Sequence, residues 1–318
     1  MTRAFKILLL FFLISLSSCS QKEEQVVAVA INPWPGYEIL YLAEKLGYFK
    51  DVGANVKLVQ LSSLADAQRA YISGRTEGFG STLIESVQSQ FLGGKPGKVV
   101  MVPDYSNGGD VILTNKSLTS VADLRDKRVG AELASLGLYL LHRALTQQGL
   151  SVEDVTLINT EQLRGKDALD SGKIDAFVSY PPASIDVLAD DNYHVIFSSS
   201  EIPGDIIDVV TLSDEVIQRH PTLPGKLMEA WQRALDYANA NPDQAFAIMA
   251  EREGVSSEDF AIVFREELKI LSADEQITLF KKPEILQQKA DDVCQLMKEL
   301  NSITGDCADI ADLIYQFH

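Results

Sequence analysis

The sequence predicts an α/β protein with two similar lobes and a helical C-terminal part. Apolar runs typical of strands alternate with amphipathic helical patterns up to about residue 207. The chain has 318 residues, which is more than one compact core usually holds. A similar ten-residue pattern also occurs twice, as AYISGRTEGF at 70–79 and as ALDSGKIDAF at 168–177. These observations together favour two lobes of one architecture.

The first series of apolar runs predicts a parallel sheet with helices between its strands. Each strand candidate is followed by a pattern of helical period, as a parallel crossover requires. The expected strands are 26–31, 56–60, 78–80 and 99–104, and the expected helices are 39–46, 64–73 and 83–92.

A second series of the same kind follows, and from Pro221 onward the chain is almost wholly helical. Its expected strands are 111–114, 129–132, 155–159, 176–180 and 194–197, with helices at 136–148 and 164–171. The later helices are expected at 226–240, 243–253, 257–268, 273–280 and 283–300. Asp243 and Ser257, which open two of these stretches, are residue types that begin helices well.

The repeated pattern has a structural interpretation. In each copy a helix would end at a glycine in the left-handed conformation, Gly74 or Gly172, and the chain would then turn into a strand. The alternative is a chance likeness of two ordinary helix–glycine–strand turns, because the matched residues are common types.

The first 18 residues have the layout of a cleaved signal peptide. Arg3 and Lys6 precede an apolar run over 7–16, which is shorter than the roughly 20 residues that span a bilayer. The segment Leu16-Ser17-Ser18-Cys19 resembles a bacterial lipoprotein signal that is cleaved before a lipid-modified Cys19. We therefore expect a protein in the periplasm or at the cell surface, held to a membrane only by the lipid and a tether over 19–25. An ordinary secretory signal is the alternative.

The charge of the chain excludes one class of partner. The formal net charge is −17, and it becomes −19 if residues 1–18 are removed, because Arg3 and Lys6 leave with them. Nucleic acid is not an expected partner, since phosphate binding needs clustered Lys and Arg. The acidic residues are spread without a long run, which is typical of a solvated surface.

The cysteines and histidines limit the chemistry of the chain. With Cys19 lipidated, Cys294 and Cys307 remain as an even pair in an oxidising compartment, which favours a disulfide; two free buried thiols are the alternative. Because the histidines have no close partner at ligand spacing, no metal site, no cofactor and no Cys/His catalysis is expected. The histidines are His142, His194, His220 and His318.

An ordered series of motifs points to a known family. The motifs are Trp34-Pro35-Gly36-Tyr37, YLAEKLGYF at 41–49, residues 70–80, SVADLRDKRV at 120–129 and GLSVEDV at 149–155. In this order they resemble ABC-transporter solute-binding proteins of the nitrate/sulfonate/taurine and NMT1/THI5-like group. The resemblance implies a type II periplasmic-binding-protein fold, in which two α/β lobes joined by two crossovers hold a ligand in the cleft between them. Lobe I would comprise 26–107 and 208–318, and lobe II would comprise 108–207.

Strand-to-helix turns supply the first candidate ligand contacts. In open α/β sheets ligands bind beyond the carboxyl ends of strands, where helix N-termini present N–H groups. Trp34 and Tyr37, in a loop stiffened by prolines, offer flat surfaces with donor tips, or else pack within their own lobe. Thr82 follows a strand and opens a helix, so its hydroxyl either caps that helix or contacts a ligand.

The second lobe and the return crossover supply the other candidates. Ser135 opens a helix at the end of a strand, and Glu132 is a charge in a position where charge is costly unless paired. Tyr180 stands in Tyr180-Pro181-Pro182 where relatives often carry Trp-Glu-Pro, so an acidic ligand contact common in the group is missing. Asp208 lies among apolar neighbours at the second crossover. It is expected to be a buried carboxylate that contacts the ligand, or a structural group bound to the hinge backbone.

The residues of the four turns bear on the class of ligand. Asp110, Glu132 and Asp208 give the cleft carboxylates, and the turns contain no Arg or Lys. This composition disfavours a bare anion held by ion pairs, although backbone amides could still hold a sulfonate. We expect a small, flat or amine-bearing organic molecule.

The resemblance implies a binding protein rather than an enzyme. We expect a monomer that closes on a small organic solute and delivers it to an ABC permease. The alternative is a sensory module that docks on a membrane signalling receptor and uses the same hinge bending. The enzymatic pyrimidine-synthase branch of the superfamily carries a cysteine-rich motif, whereas this chain has no CxxC, Gly-x-Ser-x-Gly, His-Glu-x-x-His or P-loop pattern.

Overall fold

The structure, a computed structural model, describes residues 25–317. The predicted signal peptide, the predicted lipidation site Cys19 and the rest of the tether up to residue 24 lie outside the described residues. Between residues 25 and 317, no helix has both the length and the apolar character that crossing a membrane requires.

Strands and helices alternate through the first two thirds of the described chain. The strands are β1 (Val27–Ile31), β2 (Val56–Gln60), β3 (Gly78–Thr82), β4 (Gly97–Met101), β5 (Asp104–Ser106), β6 (Val111–Asn115), β7 (Arg128–Ala131), β8 (Thr156–Asn159), β9 (Ala176–Ser179), β10 (Tyr193–Ser198), β11 (Asp208–Ser213) and β12 (Leu268–Ile270). The helices are α1 (Glu38–Lys45), α2 (Tyr48–Asp51), α3 (Leu64–Ile72), α4 (Leu83–Phe91), α5 (Leu136–Gln147), α6 (Gly165–Asp170), α7 (Ala183–Leu188), α8 (Asp214–Arg219), α9 (Leu223–Ala240), α10 (Pro242–Glu253), α11 (Ser257–Ile262), α12 (Ala273–Phe280) and α13 (Pro283–Glu299).

Two five-stranded sheets have the same topology. The first has the order β2-β1-β3-β11-β4 and the second has the order β8-β7-β9-β6-β10. In the first sheet β1 is parallel to β2 and β3, while β11 is antiparallel to β3 and β4. In the second sheet β7 is parallel to β8 and β9, while β6 is antiparallel to β9 and β10. We call the first sheet with its helices lobe I and the second lobe II.

The antiparallel strands correct the predicted parallel sheets. The chain enters the second sheet along β6 and returns to the first along β11, and each of these crossover strands runs against the parallel set. β11 was not predicted as a strand, because Asp208–Ser213 was interpreted only as a crossover. The strand expected at 99–104 is divided at Pro103, since proline cannot donate to a ladder. The helix expected at 257–268 ends at Ile262 and continues as a wider turn over Val263–Glu267.

The two copies of the repeated pattern occupy matching places. Residues 70–79 join α3 to β3, and residues 168–177 join α6 to β9. Gly74 and Gly172 have φ angles of +72° and +66°, the left-handed region in which glycine is favoured. Helix–glycine–strand turns therefore lead into the third strand of each sheet.

The C-terminal segment lies against the edge of the first sheet. Cys294 of α13 forms a disulfide with Cys307, with an S–S distance of 2.03 Å. Beyond the disulfide, the backbone N–H of Val99 in β4 donates to the carbonyl of Leu313, and the N–H of Tyr315 donates to the carbonyl of Val99. The segment thus continues the ladder at the β4 edge.

Candidate functional site

The structure brings the predicted site residues together between the two sheets. Trp34, Thr82, Asp110, Tyr180 and Asp208 line one narrow void along with Asn32, Leu64 and Leu136. The remaining predicted residues adjoin it: the Tyr37 hydroxyl donates to Asp208, Ser135 precedes Leu136, and the charge of Glu132 acts on Tyr180. All eight predicted side chains are buried. The void is too narrow to admit a water molecule, so the lobes are closed on one another.

The loop after β1 positions its two aromatic side chains through a tight turn. The N–H of Tyr37 donates to the carbonyl of Trp34 at 2.8 Å. The indole Nε1 of Trp34 donates to Oδ1 of Asp104 at 3.3 Å. A Cβ at Gly36 would collide with Oδ2 of Asp104, so only glycine allows the loop to approach this carboxyl group.

Asp104 and Asp208 form a buried pair of carboxyl groups. The Tyr37 hydroxyl donates to Oδ1 of Asp208 at 2.8 Å. Burial raises the pKa of Asp104 to about 7, and burial together with the Asp104 charge raises the pKa of Asp208 well above its ordinary value. A hydrogen bond between two carboxyl groups needs a proton on one of them, so the pair holds a proton at neutral pH.

Asp110 is a buried carboxylate whose two oxygens have no hydrogen-bond partner. It follows the first crossover at the start of lobe II. Burial raises its pKa to about 7 against the opposing effect of the Ser106 hydroxyl, and the charges of Glu85 and Glu267 act in the same direction as burial. Glu132, on the loop after β7, resembles it, because burial raises its pKa to about 7 and its Oε2 is also unpartnered.

Glu85 joins the two lobes and was not predicted. Its Oε2 accepts hydrogen bonds from the N–H and the hydroxyl of Thr82, at 2.9 and 2.6 Å, within lobe I. Its Oε1 accepts hydrogen bonds from the Ser135 hydroxyl and the Leu136 N–H of lobe II, both at 2.7 Å. One carboxylate therefore caps the N-termini of α4 and α5. The spacing Thr82-x-x-Glu85 is a capping-box signature. It could have identified Glu85 as a cap of α4, but not its contact with α5.

Tyr180 makes the second contact between lobes. Its hydroxyl accepts a hydrogen bond from the N–H of Leu64, the first residue of α3, at 3.3 Å. Its ring stands edge-on to Trp34, with the ring centroids 6.1 Å apart. Aromatic surfaces from both lobes thus cover the void.

Sequence reasoning missed Asp104, Glu85 and Leu64. Asp104 was placed inside a predicted strand, and the local sequence carries no sign that Trp34 reaches it across 70 residues. Leu64 contributes a backbone N–H group. Every residue except proline has such a group, so the sequence could not single out Leu64.

A wider groove lies away from this cluster, between the crossover segments and α12. It has a volume of about 890 Å³, and its lining includes Tyr105, Asn107, Pro203, Lys269 and Thr278. It is broadly open to solvent and lacks unpartnered buried side chains. We place the candidate site at the buried interlobe cluster, because that cluster combines aromatic surfaces with carboxylates that have no partners.

Comparisons with known proteins agree on one family and one fold. The NMT1/THI5 like family matches residues 34–245. A Brucella abortus chain named as a binding protein is 26% identical over 166 residues, which are 49% of this chain and 50% of that one. The chain thus spans about half the length of this curated relative. A 4-amino-5-hydroxymethyl-2-methylpyrimidine phosphate synthase from Aspergillus parasiticus is 23% identical over 67% of this chain and 66% of its own length.

A solved structure shares the two-lobed architecture. The alkanesulfonate-binding protein SsuA from Xanthomonas axonopodis pv. citri, bound to MOPS, superposes with a TM-score of 0.76 at 15% identity. The superposition covers 92% of this chain and 98% of that one. It supports the predicted periplasmic-binding-protein fold for the described chain.

Proposed function

The chain belongs to the NMT1/THI5-like family, and on that premise we propose that it binds a small organic solute between its lobes and delivers it to an ABC permease outside the cytoplasm. One observation carries the proposal. Side chains from both lobes meet around a single buried site, where Trp34 contacts Tyr180 and Glu85 accepts hydrogen bonds from Ser135. The void is too narrow for a water molecule in this arrangement, so a solute must enter with the lobes further apart. Once bound, it would touch both lobes and stabilise a closed arrangement wide enough to hold it, by its differential affinity for that arrangement.

Binding rather than catalysis is the activity that we propose. Between residues 25 and 317 no cluster of His, Cys, Asp and Glu is arranged to hold a metal ion. The buried Asp104–Asp208 pair lies beside the hydrogen-bond donors of Trp34 and Tyr37. The test is to isolate the protein with its co-purified solute and identify that solute by native mass spectrometry, before and after long incubation. An unchanged solute supports a binding protein, whereas conversion to a product supports an enzyme.

Lobe closure is the second testable part of the proposal. Small-angle scattering of the protein stripped of solute should give a larger radius of gyration than that of the protein with its solute restored. Equal radii of gyration would contradict a hinge-bending function.

The lipid anchor completes the proposal. Cys19 would tether the two lobes to a membrane through residues 19–25, with transport left to the permease. Cell fractionation of the wild-type protein and of Cys19→Ser checks this, because only the wild type should partition with membranes. Membrane association of both proteins would contradict an anchor at Cys19.

A further inference from the structure

We propose that the interlobe site recognises an organic cation, a small solute with a protonated amine or amidine nitrogen, and discriminates against sulfonates and carboxylates. The inference rests on the proposed binding function and specifies the chemistry of its ligand. Three features of the buried site carry it: carboxylate oxygens without donors, an occupied anion position and the absence of a cationic side chain in the lining.

The first feature is a pair of carboxylate oxygens that lack partners. Asp110 and Asp208 line the void and are 1% and 2% exposed. Neither Asp110 oxygen has a hydrogen-bond partner, whereas Asp208 shares a proton with Asp104 and accepts a hydrogen bond from Tyr37. Buried polar groups in folded proteins are nearly always hydrogen-bonded, so the Asp110 oxygens lack donors that another molecule must supply.

The second feature is that a carboxylate of the protein already occupies the N-terminus of α5. A helix N-terminus facing a cleft is a ready site for anions, because its N–H groups and dipole favour negative charge. Here Glu85 of lobe I occupies that place, and its Oε1 accepts hydrogen bonds from Leu136 N–H and Ser135. An anionic solute would have to displace this carboxylate and would face the charges of Asp110 and Asp208.

The third feature is the composition of the lining. The described residues around the void are Asn32, Trp34, Leu64, Thr82, Asp110, Leu136, Tyr180 and Asp208, and they include no Lys, Arg or His. Between residues 25 and 317 no carboxylate cluster has metal-ligand geometry, so a metal ion does not account for the acidic groups. An ammonium or amidinium group supplies both the donors and the charge that these carboxylates lack. The flanking Trp34 and Tyr180 rings suit a flat cation.

Two isosteric substitutions test the inference without a known ligand. If Asp110 and Asp208 are kept for a cation, Asp110→Asn and Asp208→Asn remove buried repulsion, and the unfolding temperature of the solute-free protein should rise by about 2–4 °C. Asp191→Asn, an exposed change on lobe II, is the matched control and should leave that temperature unchanged. A fall of several degrees in both cleft variants would make these residues structural and overturn the inference.

A set of matched probes tests the sign of the ligand charge. Benzamidine, benzyl alcohol and benzenesulfonate are similar in size and differ in charge. Benzamidine should raise the unfolding temperature of the solute-free wild type, and its affinity by calorimetry should fall at least tenfold in Asp110→Asn and stay unchanged in Asp191→Asn.

The outcomes separate the ligand class from the binding function. Stabilisation by benzenesulfonate, with compaction in scattering, would overturn the cationic ligand and leave the binding protein intact. Stabilisation by benzamidine without any compaction would support the ligand class and contradict lobe closure.

Discussion

Two regions of the interlobe site contain the same chemical group in opposite situations. The Glu85 carboxylate is fully buried and accepts four hydrogen bonds from the N-terminal residues of two helices. The Asp110 carboxylate is equally buried, and neither of its side-chain oxygens has a partner. Burial and charge therefore do not by themselves decide whether a buried acid is supplied with hydrogen-bond donors.

This difference indicates that the number of hydrogen-bond donors around a buried carboxylate decides whether it can act as a structural group. A buried carboxylate costs several kcal/mol unless donors or cations surround it. The protein provides four hydrogen bonds for Glu85, which joins the two lobes, whereas neither Asp110 oxygen has a hydrogen-bond partner and the nearby Ser106 hydroxyl only partly offsets the cost of burial. The predictions below test this contrast from the largest expected effect to the smallest.

Removing the satisfied carboxylate should have the largest effect. Glu85→Ala leaves two N–H groups and two hydroxyls without their acceptor, and the free energy of unfolding should fall by about 4 kcal/mol. Because the Ser135 and Leu136 donors lie in the opposite lobe, the lobes should also separate. Chemical denaturation and small-angle scattering measure the two effects.

Glu85→Gln is the matched control for that change. It keeps the side-chain shape and one acceptor oxygen, so its loss of stability should be smaller. If Glu85→Ala stays as compact as the wild type, Glu85 does not hold the lobes together.

The unsatisfied carboxylates should make the stability of the solute-free protein depend on pH. The pKa of Asp110 in the folded protein is about 7, above its ordinary value of 3.8. The folded state therefore binds more protons than the unfolded state between these values, and the stability this gives is complete below about pH 4 and lost as the pH rises through 7. We expect the free energy of unfolding to fall by about 3 kcal/mol per such carboxyl group between pH 5 and pH 8.

Other buried acids contribute to this pH dependence, so a control is needed to isolate the contribution of Asp110. Asp104 and Glu132 have pKa values raised to about 7 by burial, and burial raises the pKa of Glu253, in α10, to about 8. The difference between the wild type and Asp110→Asn, measured by denaturation at pH 5 and pH 8, isolates the Asp110 part. A wild-type stability that rises from pH 5 to pH 8 would contradict the prediction.

Substitutions on the two sides of Glu85 should separate folding from closure. Thr82→Ala removes a cap from α4 and should lower the free energy of unfolding by about 1–2 kcal/mol with the lobes still closed. Ser135→Ala removes a donor from lobe II and should cost about 1 kcal/mol, mainly as a wider lobe separation in scattering. Identical scattering curves for the two variants would show that Glu85 does not act differently on the two helices.

The weakest contact between lobes should give the smallest effect. Tyr180→Phe removes one hydrogen bond, from Leu64 N–H, and keeps the edge-on ring contact with Trp34. The expected loss of stability is about 0.5–1 kcal/mol, measured by chemical denaturation. A loss larger than that of Glu85→Ala would place the main interlobe contact at Tyr180 instead.

Much of the fold could be predicted from local sequence patterns. The repeated turns at Gly74 and Gly172 and the apolar runs located most strands within a few residues, because these signals are local. β11 escaped prediction, since its antiparallel pairing with β3 and β4 depends on where the chain returns after an entire lobe.

The candidate site could be predicted only in part. Trp34, Tyr37 and Ser135 lie at strand-to-helix turns, which sequence patterns indicate. The partners that give these residues their geometry are distant in sequence: Asp104 for Trp34, and Glu85 for Ser135. Such contacts form only when the two lobes pack together. Local sequence patterns therefore do not indicate them.

The disulfide between Cys294 and Cys307 also bears on how the edge of the first sheet is covered. An unpaired edge strand is a template on which other chains can add, and sheet edges are commonly covered for this reason. Here the segment around Leu313 and Tyr315 covers β4, and the disulfide fixes the chain a few residues before that segment. In an oxidising compartment the crosslink therefore keeps a protective strip in place against strand-to-strand aggregation.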